Sequence, residues 1–197
     1  MDPEVETDKE NERDVFLMSA VACGDAAALA ELVDRHKDAV YGTVSKMLGG
    51  HGDIEDISQQ VFIRVWKSAK SYEPTAKFTT WLFTITRNLV FNETRRLGRK
   101  KTVSHDEMEE EFGVETVDQA ALSPHDSLLE KELTRAVDRA IEGLSEKARM
   151  AVILRRYQDM PYEEIAGVLK VSVSAAKSLL FRARTQLREA LQEYLNQ

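Results

Sequence analysis

The chain has a single cysteine, Cys23, among 197 residues. One thiol excludes a disulfide framework and a thiolate metal site. The expectation for it is a small, buried, apolar residue on a helix. The four histidines, His36, His51, His105 and His125, are scattered with no i, i+4 pair, which argues against a metal centre. No apolar run reaches the roughly 18 residues that a membrane-spanning helix needs. The start, residues 1–14, is acidic and polar rather than a secretory leader. Together these point to a cytoplasmic protein with no direct membrane insertion. A glycine-rich phosphate loop is also missing, and the run Glu109, Glu110, Glu111 reads as a solvated linker rather than a catalytic carboxylate set. No internal repeat and no convincing strand pair are present. The expectation is an all-α protein that is not an enzyme and needs no cofactor.

A net positive charge is lacking too, since the formal total is −7. The total hides a division. Residues 66–101 hold nine bases against two acids, and residues 143–197 hold nine against six. Between them, residues 102–132 carry ten acids and one base. Attraction to phosphate is set by charge within roughly 8 Å at physiological salt, so two local basic segments outweigh the acidic sum.

Apolar spacing marks the helices. Leu29, Leu32, Val33, Val40, Val44 and Met47 recur at helical intervals, and the Gly49, Gly50, Gly52 stretch ends that run. Asp53 then stands as an N-cap, with Glu55 and Asp56 favouring the positive end of a second helix. Ile57, Val61, Phe62, Val65 and Trp66 suit the inward side of that helix. A break at 72–74 precedes a third, over 78–97, with Trp81, Leu82, Ile85 and Leu89 inward. This divides the chain into an acidic extension over 1–15, a helical domain over 16–101, an acidic linker over 102–127 and a second helical domain over 128–197.

The most specific pattern lies at 161–184, P-Y-E-E-I-A-G-V-L-K-V-S-V-S-A-A-K-S-L-L-F-R-A-R. Two short helical patterns are joined by a tight turn, and the second is basic. Ile165, Ala166 and Leu169 form one stripe; Val173, Ala176, Leu179 and Leu180 continue it. That is the plan of a helix-turn-helix whose second helix enters the DNA major groove. On these residues alone, the alternative is an ordinary helical hairpin with a solvated basic face.

The order of segments resembles the extracytoplasmic-function (ECF) group of bacterial sigma factors. The stretch D-I-E-D-I-S-Q-Q-V-F-I-R-V-W at 53–66, followed by F-T-T-W-L-F-T-I-T-R-N-L-V-F-N-E-T-R-R at 78–96, is similar to sigma region 2. The stretch L-S-E-K-A-R-M-A-V-I-L-R-R-Y at 144–157, running into the helix-turn-helix, is similar to region 4.

The resemblance implies a transcription initiation factor that binds core RNA polymerase, through the β′ clamp region and the β flap, and promoter DNA. Asp53, Asp56, Gln59 and Gln60 would face polymerase. Lys67, Tyr72, Lys77, Arg87, Asn88, Arg95 and Arg96 would serve the promoter −10 element. Aromatics interleaved with cations suit unstacked bases and their phosphates. The 72–77 loop would hold a flipped base, while Trp81 is expected in the core. Ser172, Ser174, Lys177, Ser178, Phe181 and Arg182 would serve the −35 element. The family often has Gly-Thr-Val-Lys-Ser-Arg where this chain has Ser-Ala-Ala-Lys-Ser-Leu at 174–179, so Ala175 and Leu179 lack two contacts and the −35 sequence is in question. The catalytic metal belongs to the polymerase. An anti-sigma partner, often membrane-bound in the family, is implied as well. The alternative function is a stand-alone helix-turn-helix repressor or activator, which leaves 53–101 without a task.

Overall fold

The computed structural model describes residues 3–103 and 124–192. Among them are eight α-helices and no strand: α1 (Pro3–Ala22), α2 (Ala26–Leu48), α3 (Ile54–Ser68), α4 (Phe78–Val103), α5 (Pro124–Glu142), α6 (Glu146–Tyr157), α7 (Tyr162–Leu169) and α8 (Val173–Ala190), with a 3-10 turn at Ala69–Ser71. The all-α fold class is therefore as the sequence implies. Most of the acidic linker, 104–123, lies outside the described residues.

Side-chain caps start the helices where spacing places them. The Asp25 carboxylate accepts the Ala27 and Ala28 N–H groups at 2.8 and 3.1 Å. Asp53 accepts from Asp56 N at 2.9 Å, and the Ser172 hydroxyl accepts from Ala175 N at 3.1 Å. Each satisfies an amide with no partner inside its own helix. Gly49 ends α2 at φ 59°, a left-handed conformation that glycine adopts without strain.

Helix α1 departs from expectation, because it begins inside the acidic extension and is held there by ion pairs. Asp14 is 2% exposed. Its two oxygens meet Arg35 Nε at 2.8 Å and His36 Nε2 at 2.9 Å. Arg13 adds a two-pronged bond to Glu31 at the surface. The periodicity of 3–22 is weak because charge complementarity with α2, as well as an apolar stripe, fixes this helix. Cys23 is also a correction. It is exposed, in the turn after α1 rather than in a helix interior.

One apolar core runs through both halves of the chain. Leu32, Val40, Val44, Val61, Val65, Phe78 and Leu82 join Met150, Ile153, Leu154, Ile165 and Leu169 in it. Burying a side chain of this kind is worth about 1.5–3 kcal/mol. Two seams close the halves. In one, α2 meets α5 and α6: Arg149 of α6 donates to Met47 O at 2.7 Å, and Lys46 pairs with Asp138 of α5 at 3.3 Å. In the other, α4 meets α7, and this seam runs into the functional surface.

Candidate nucleic-acid interface

Three surfaces collect the residues singled out above. The first is the outer side of α3. Asp53, Asp56 and Gln59 are exposed there and Gln60 is half-buried. The capped N-terminus tolerates the carboxylates because the helix dipole favours negative charge at that end. Beside this acidic edge lies an apolar groove of about 530 Å³, lined by Leu29 and Val33 of α2 and by Gln59, Phe62, Ile63 and Trp66 of α3. Trp66 was expected in the core, yet it is 40% exposed. Its position on the helix explains this. Val61 and Val65 take the inward positions, and Trp66 follows one residue later on the flank. The sequence signal for a mixed apolar and acidic face was the excess of apolar residues on α3 beyond one core stripe.

The second surface surrounds the start of α4. Tyr72, Phe78 and Trp81 pack as an aromatic cluster, with Tyr72–Trp81 and Tyr72–Phe78 edge-on at 4.9 and 6.2 Å between centroids. His36 completes it at 5.1 Å from Phe78. Trp81 packs half-buried against the core as expected. Burial, with the Asp14 charge adding to it, pushes the Tyr72 phenol pKa up. The phenol therefore stays protonated and able to donate at neutral pH. Residues 73–76 of the loop are exposed. The first amide of α4, Phe78 N, donates to Asn11 Oδ1 of α1 at 2.8 Å. This cap reaches across 67 residues of sequence, so no local pattern revealed it.

Along α4 the candidates separate. Asn88 and Arg95 are exposed on one stripe, with Asn92 between them at helical spacing. Asn92 was not singled out by the sequence reading, although its i+4 relation to Asn88 was available. Asn92, Arg95, Gly98 and Arg99 line a shallow groove farther along. Arg96 turns away and forms a two-pronged pair with Glu93 at 2.5 and 2.7 Å. Lys67 is exposed at the end of α3. Lys77 pairs with Glu164 of α7 at 3.2 Å. Arg87 is only 8% exposed; it donates to Val168 O of α7 at 2.6 Å and to Asn88 Oδ1 at 2.5 Å. Burial pushes the Arg87 pKa down, but a guanidinium starts so high that it remains charged. The structure therefore leaves Lys67, Asn88 and Arg95 exposed and Tyr72 half-buried, and it ties Lys77 and Arg87 into the α4–α7 seam.

The third surface is α8. Lys170 turns the chain at φ 53°, and its N–H bonds back to Ala166 O and Gly167 O. Ala166 is buried and lets α7 and α8 cross closely. Ala176, Leu180 and Ala183 face inward. Leu179, whose place the sequence left open, is half-buried against the core. Ser174, Lys177, Ser178 and Arg182 are exposed, and Phe181 is 73% exposed. A large apolar ring held in water on a basic helix face suits contact with a thymine methyl group. Ser172 is the N-cap; its oxygen is used by Ala175 N, which leaves its hydroxyl proton as the available donor.

Among the described residues no helix is long and apolar enough to cross a membrane, and no group of His, Cys, Asp or Glu is arranged to hold a metal ion.

Comparison with known proteins follows this division. Residues 32–100 match Sigma-70 region 2, and residues 134–187 match Sigma-70 region 4. The ECF RNA polymerase sigma factor SigE of Mycolicibacterium smegmatis is 35% identical over 88% of this chain, which spans 66% of that protein's length, just under two thirds. The ECF RNA polymerase sigma-E factor of Escherichia coli is 33% identical over 91% of this chain and 94% of its own length. Among solved structures, CnrH in complex with the cytosolic domain of CnrY is similar with a TM-score of 0.67 and 25% identity, covering 92% of this chain and 98% of that one. The sigma factor RpoE from Bartonella quintana, in complex with the anti-sigma factor NepR, has the same fold at a TM-score of 0.66 and 24% identity, covering 83% and 96%. Two region matches in the right order, together with relatives matched across most of both chains, place this protein among the ECF RNA polymerase sigma factors.

Proposed function

We propose that the chain binds core RNA polymerase, directs it to particular promoters and helps to open them, with one surface for each task. The acidic edge and apolar groove of α3, built around Asp53, Asp56, Gln59, Gln60, Ile63 and Trp66, take the polymerase. Apolar area supplies affinity there, and the carboxylates select a basic partner helix. The 72–77 loop and the stripe of Asn88, Asn92 and Arg95 read and hold the −10 region, the loop receiving an unstacked base. The exposed face of α8, with Ser174, Lys177, Ser178, Phe181 and Arg182, reads the −35 region. The division proposed is a region 2 domain over 16–101, an acidic tether over 102–127 and a region 4 domain over 128–197. Helix α1 begins ahead of the first domain at Pro3, and α5 ahead of the second at Pro124. The work is done by binding rather than by bond chemistry. By analogy with the RpoE–NepR pair, a protein antagonist of the anti-sigma kind is the expected regulator.

The observation that carries this reading is the set of three distinct surfaces on one chain. A stand-alone helix-turn-helix regulator needs only the third. Two substitutions separate the tasks. Asp56→Arg reverses a charge at the exposed edge of α3 and weakens binding to core polymerase, by about 2–5 kcal/mol if the pair is desolvated in the complex, while the fold stays intact. Asn88→Ala lowers the permanganate reactivity of promoter thymines more than it lowers core binding. Full core binding by a folded Asp56→Arg protein removes α3 from the polymerase site, and unchanged permanganate reactivity removes Asn88 from the −10 site.

A further inference from the structure

We infer that α1 is a strap that shapes the −10 site: Asn11 and Asp14, three residues apart on its inner side, hold the two ends of the 72–77 loop and act as positioning residues for the base that the loop receives. The inference rests on the role proposed above for that loop, and it gives the acidic extension a task.

The loop does not fix its own ends. Residues 73–76 are exposed, and the helix that follows has no local cap. Lys77 stands at the cap position of α4, and a lysine side chain carries donors only. The first amide of α4 is satisfied from α1 instead, since Phe78 N donates to Asn11 Oδ1 at 2.8 Å. One bond across 67 residues thus sets where the loop stops and α4 begins. The other end is Tyr72. Its amide closes the 3-10 turn onto Ala69 O at 3.2 Å, and α1 packs against that turn. The Tyr72 hydroxyl is buried without a hydrogen-bond partner among the described residues. An unpaired hydroxyl opposes its own burial. Ring packing must therefore hold Tyr72 in place, against Trp81 at 4.9 Å and Phe78 at 6.2 Å.

Asp14 builds the wall behind those rings. Its buried carboxylate fixes the His36 imidazole at 2.9 Å and the Arg35 guanidinium at 2.8 Å. The fixed imidazole stands 5.1 Å from the Phe78 ring, so Asp14 acts on the loop through His36 and Phe78. Its charge also reaches the Tyr72 phenol, where it adds to burial in pushing the pKa up. Helix α1 can serve as a fixed point because it is tied down independently of the loop. Leu17, Met18 and Val21 are buried in the core, and Arg13 bonds Glu31 of α2. The shape of the loop is thus set by α1, and the place of α1 by α2. The residues proposed to meet polymerase and the −35 region lie on other helices, α3 and α8. Loss of the strap should therefore spare those two contacts and impair the base site.

The test uses the holoenzyme on a promoter identified from the transcripts that the wild-type chain starts, with 2-aminopurine at the −10 bases of the non-template strand. The fluorescence of this base rises when it leaves the stack. Asn11→Ala is expected to bind core within roughly twofold of wild type and to lower the equilibrium constant for opening roughly fivefold, the weight of one lost cap. Asn11→Asp keeps an acceptor on Phe78 N and is expected to restore most of the opening. Asp14→Asn is expected to lower opening in the same direction as Asn11→Ala. On a duplex already mismatched over the −10 region, the Asn11→Ala loss should persist, because the fault lies in holding the base rather than in separating the strands. Val44→Ala is the control for stability. Val44 is fully buried about two turns along α2 from His36. Its truncation should lower the urea midpoint at least as far as Asn11→Ala does and leave the fluorescence at the wild-type level. Four results overturn the inference: opening by a folded Asn11→Ala protein equal to wild type, disappearance of its loss on the mismatched duplex, no recovery with Asn11→Asp, or a loss with Val44→Ala as large as that with Asn11→Ala. If wild type itself starts no transcripts with core polymerase, the function proposed above falls, and the strap falls with it.

Discussion

Two helices of this chain are proposed to meet DNA, and they present their side chains in opposite ways. Helix α4 is enclosed. Phe78, Leu82, Phe83, Leu89, Val90 and Phe91 are buried, and even Thr86, Arg87 and Glu93 are no more than 9% exposed. Helix α8 buries Ala176, Leu180 and Ala183 and leaves its basic side in water. On the proposed reading, α4 would do two jobs, packing the core and meeting DNA. The outer face of α8 would do one. The two halves divide accordingly: substitutions on α4 should move stability and promoter opening together, whereas substitutions on the outer face of α8 should move DNA affinity alone.

That contrast is broken most severely at Phe78. It is fully buried among His36, Tyr72 and Trp81. Phe78→Ala should cost about 3–5 kcal/mol of stability through lost contacts and a cavity, read as a fall in Tm. A change below about 1 kcal/mol would mean that the aromatic cluster is not packed in solution. Arg87→Ala comes next. Losing a charged donor to a helix-end carbonyl should cost about 1.5–3 kcal/mol of stability in the free chain, visible in urea denaturation. Arg182→Ala is the counterpart on α8. It should leave the urea midpoint unchanged and weaken −35 binding by the holoenzyme by about 1–3 kcal/mol if it reads a base. Equal stability losses at Arg87 and Arg182 would erase the difference between the helices. The smallest effect belongs to Asn11→Ala, which removes the cap on Phe78 N and should cost about 1 kcal/mol. Asn11→Asp, which keeps an acceptor there, should recover most of it, and circular dichroism melts of the three proteins decide the point.

What was legible in the sequence follows from how far each contact reaches. Asp53 and Ser172 were readable as caps or turn residues because a cap bonds within three residues. The apolar stripes of α2, α7 and α8 were readable because their periodicity is local. The cap from Asn11, the contacts of Asp14 with Arg35 and His36 and the seam of Lys77 and Arg87 with α7 were not. Each joins residues far apart in sequence, and nothing in the local pattern of 77–87 distinguishes a cation that waits for phosphate from one that already has a carboxylate. Trp66 illustrates the other limit. Helical spacing places a residue on a flank, but whether a neighbouring helix covers that flank depends on the packing of α2 against α3. Phe181 was chosen for its place on the recognition helix, and its exposure in water adds the thymine contact to that choice.

The apolar core shared by both halves has a consequence for how the protein comes apart. Elements joined by continuous packing unfold together, whereas halves connected only by a tether melt independently. The free chain should therefore show a single calorimetric transition whose calorimetric and van't Hoff enthalpies agree. A β-carbon at Gly167 of α7 would stand 3.4 Å from the Thr80 methyl group of α4, so a bulky residue there should push the two helices apart and resolve the melt into two transitions. The heat-capacity trace of the free protein would then report directly on how tightly the two halves are joined.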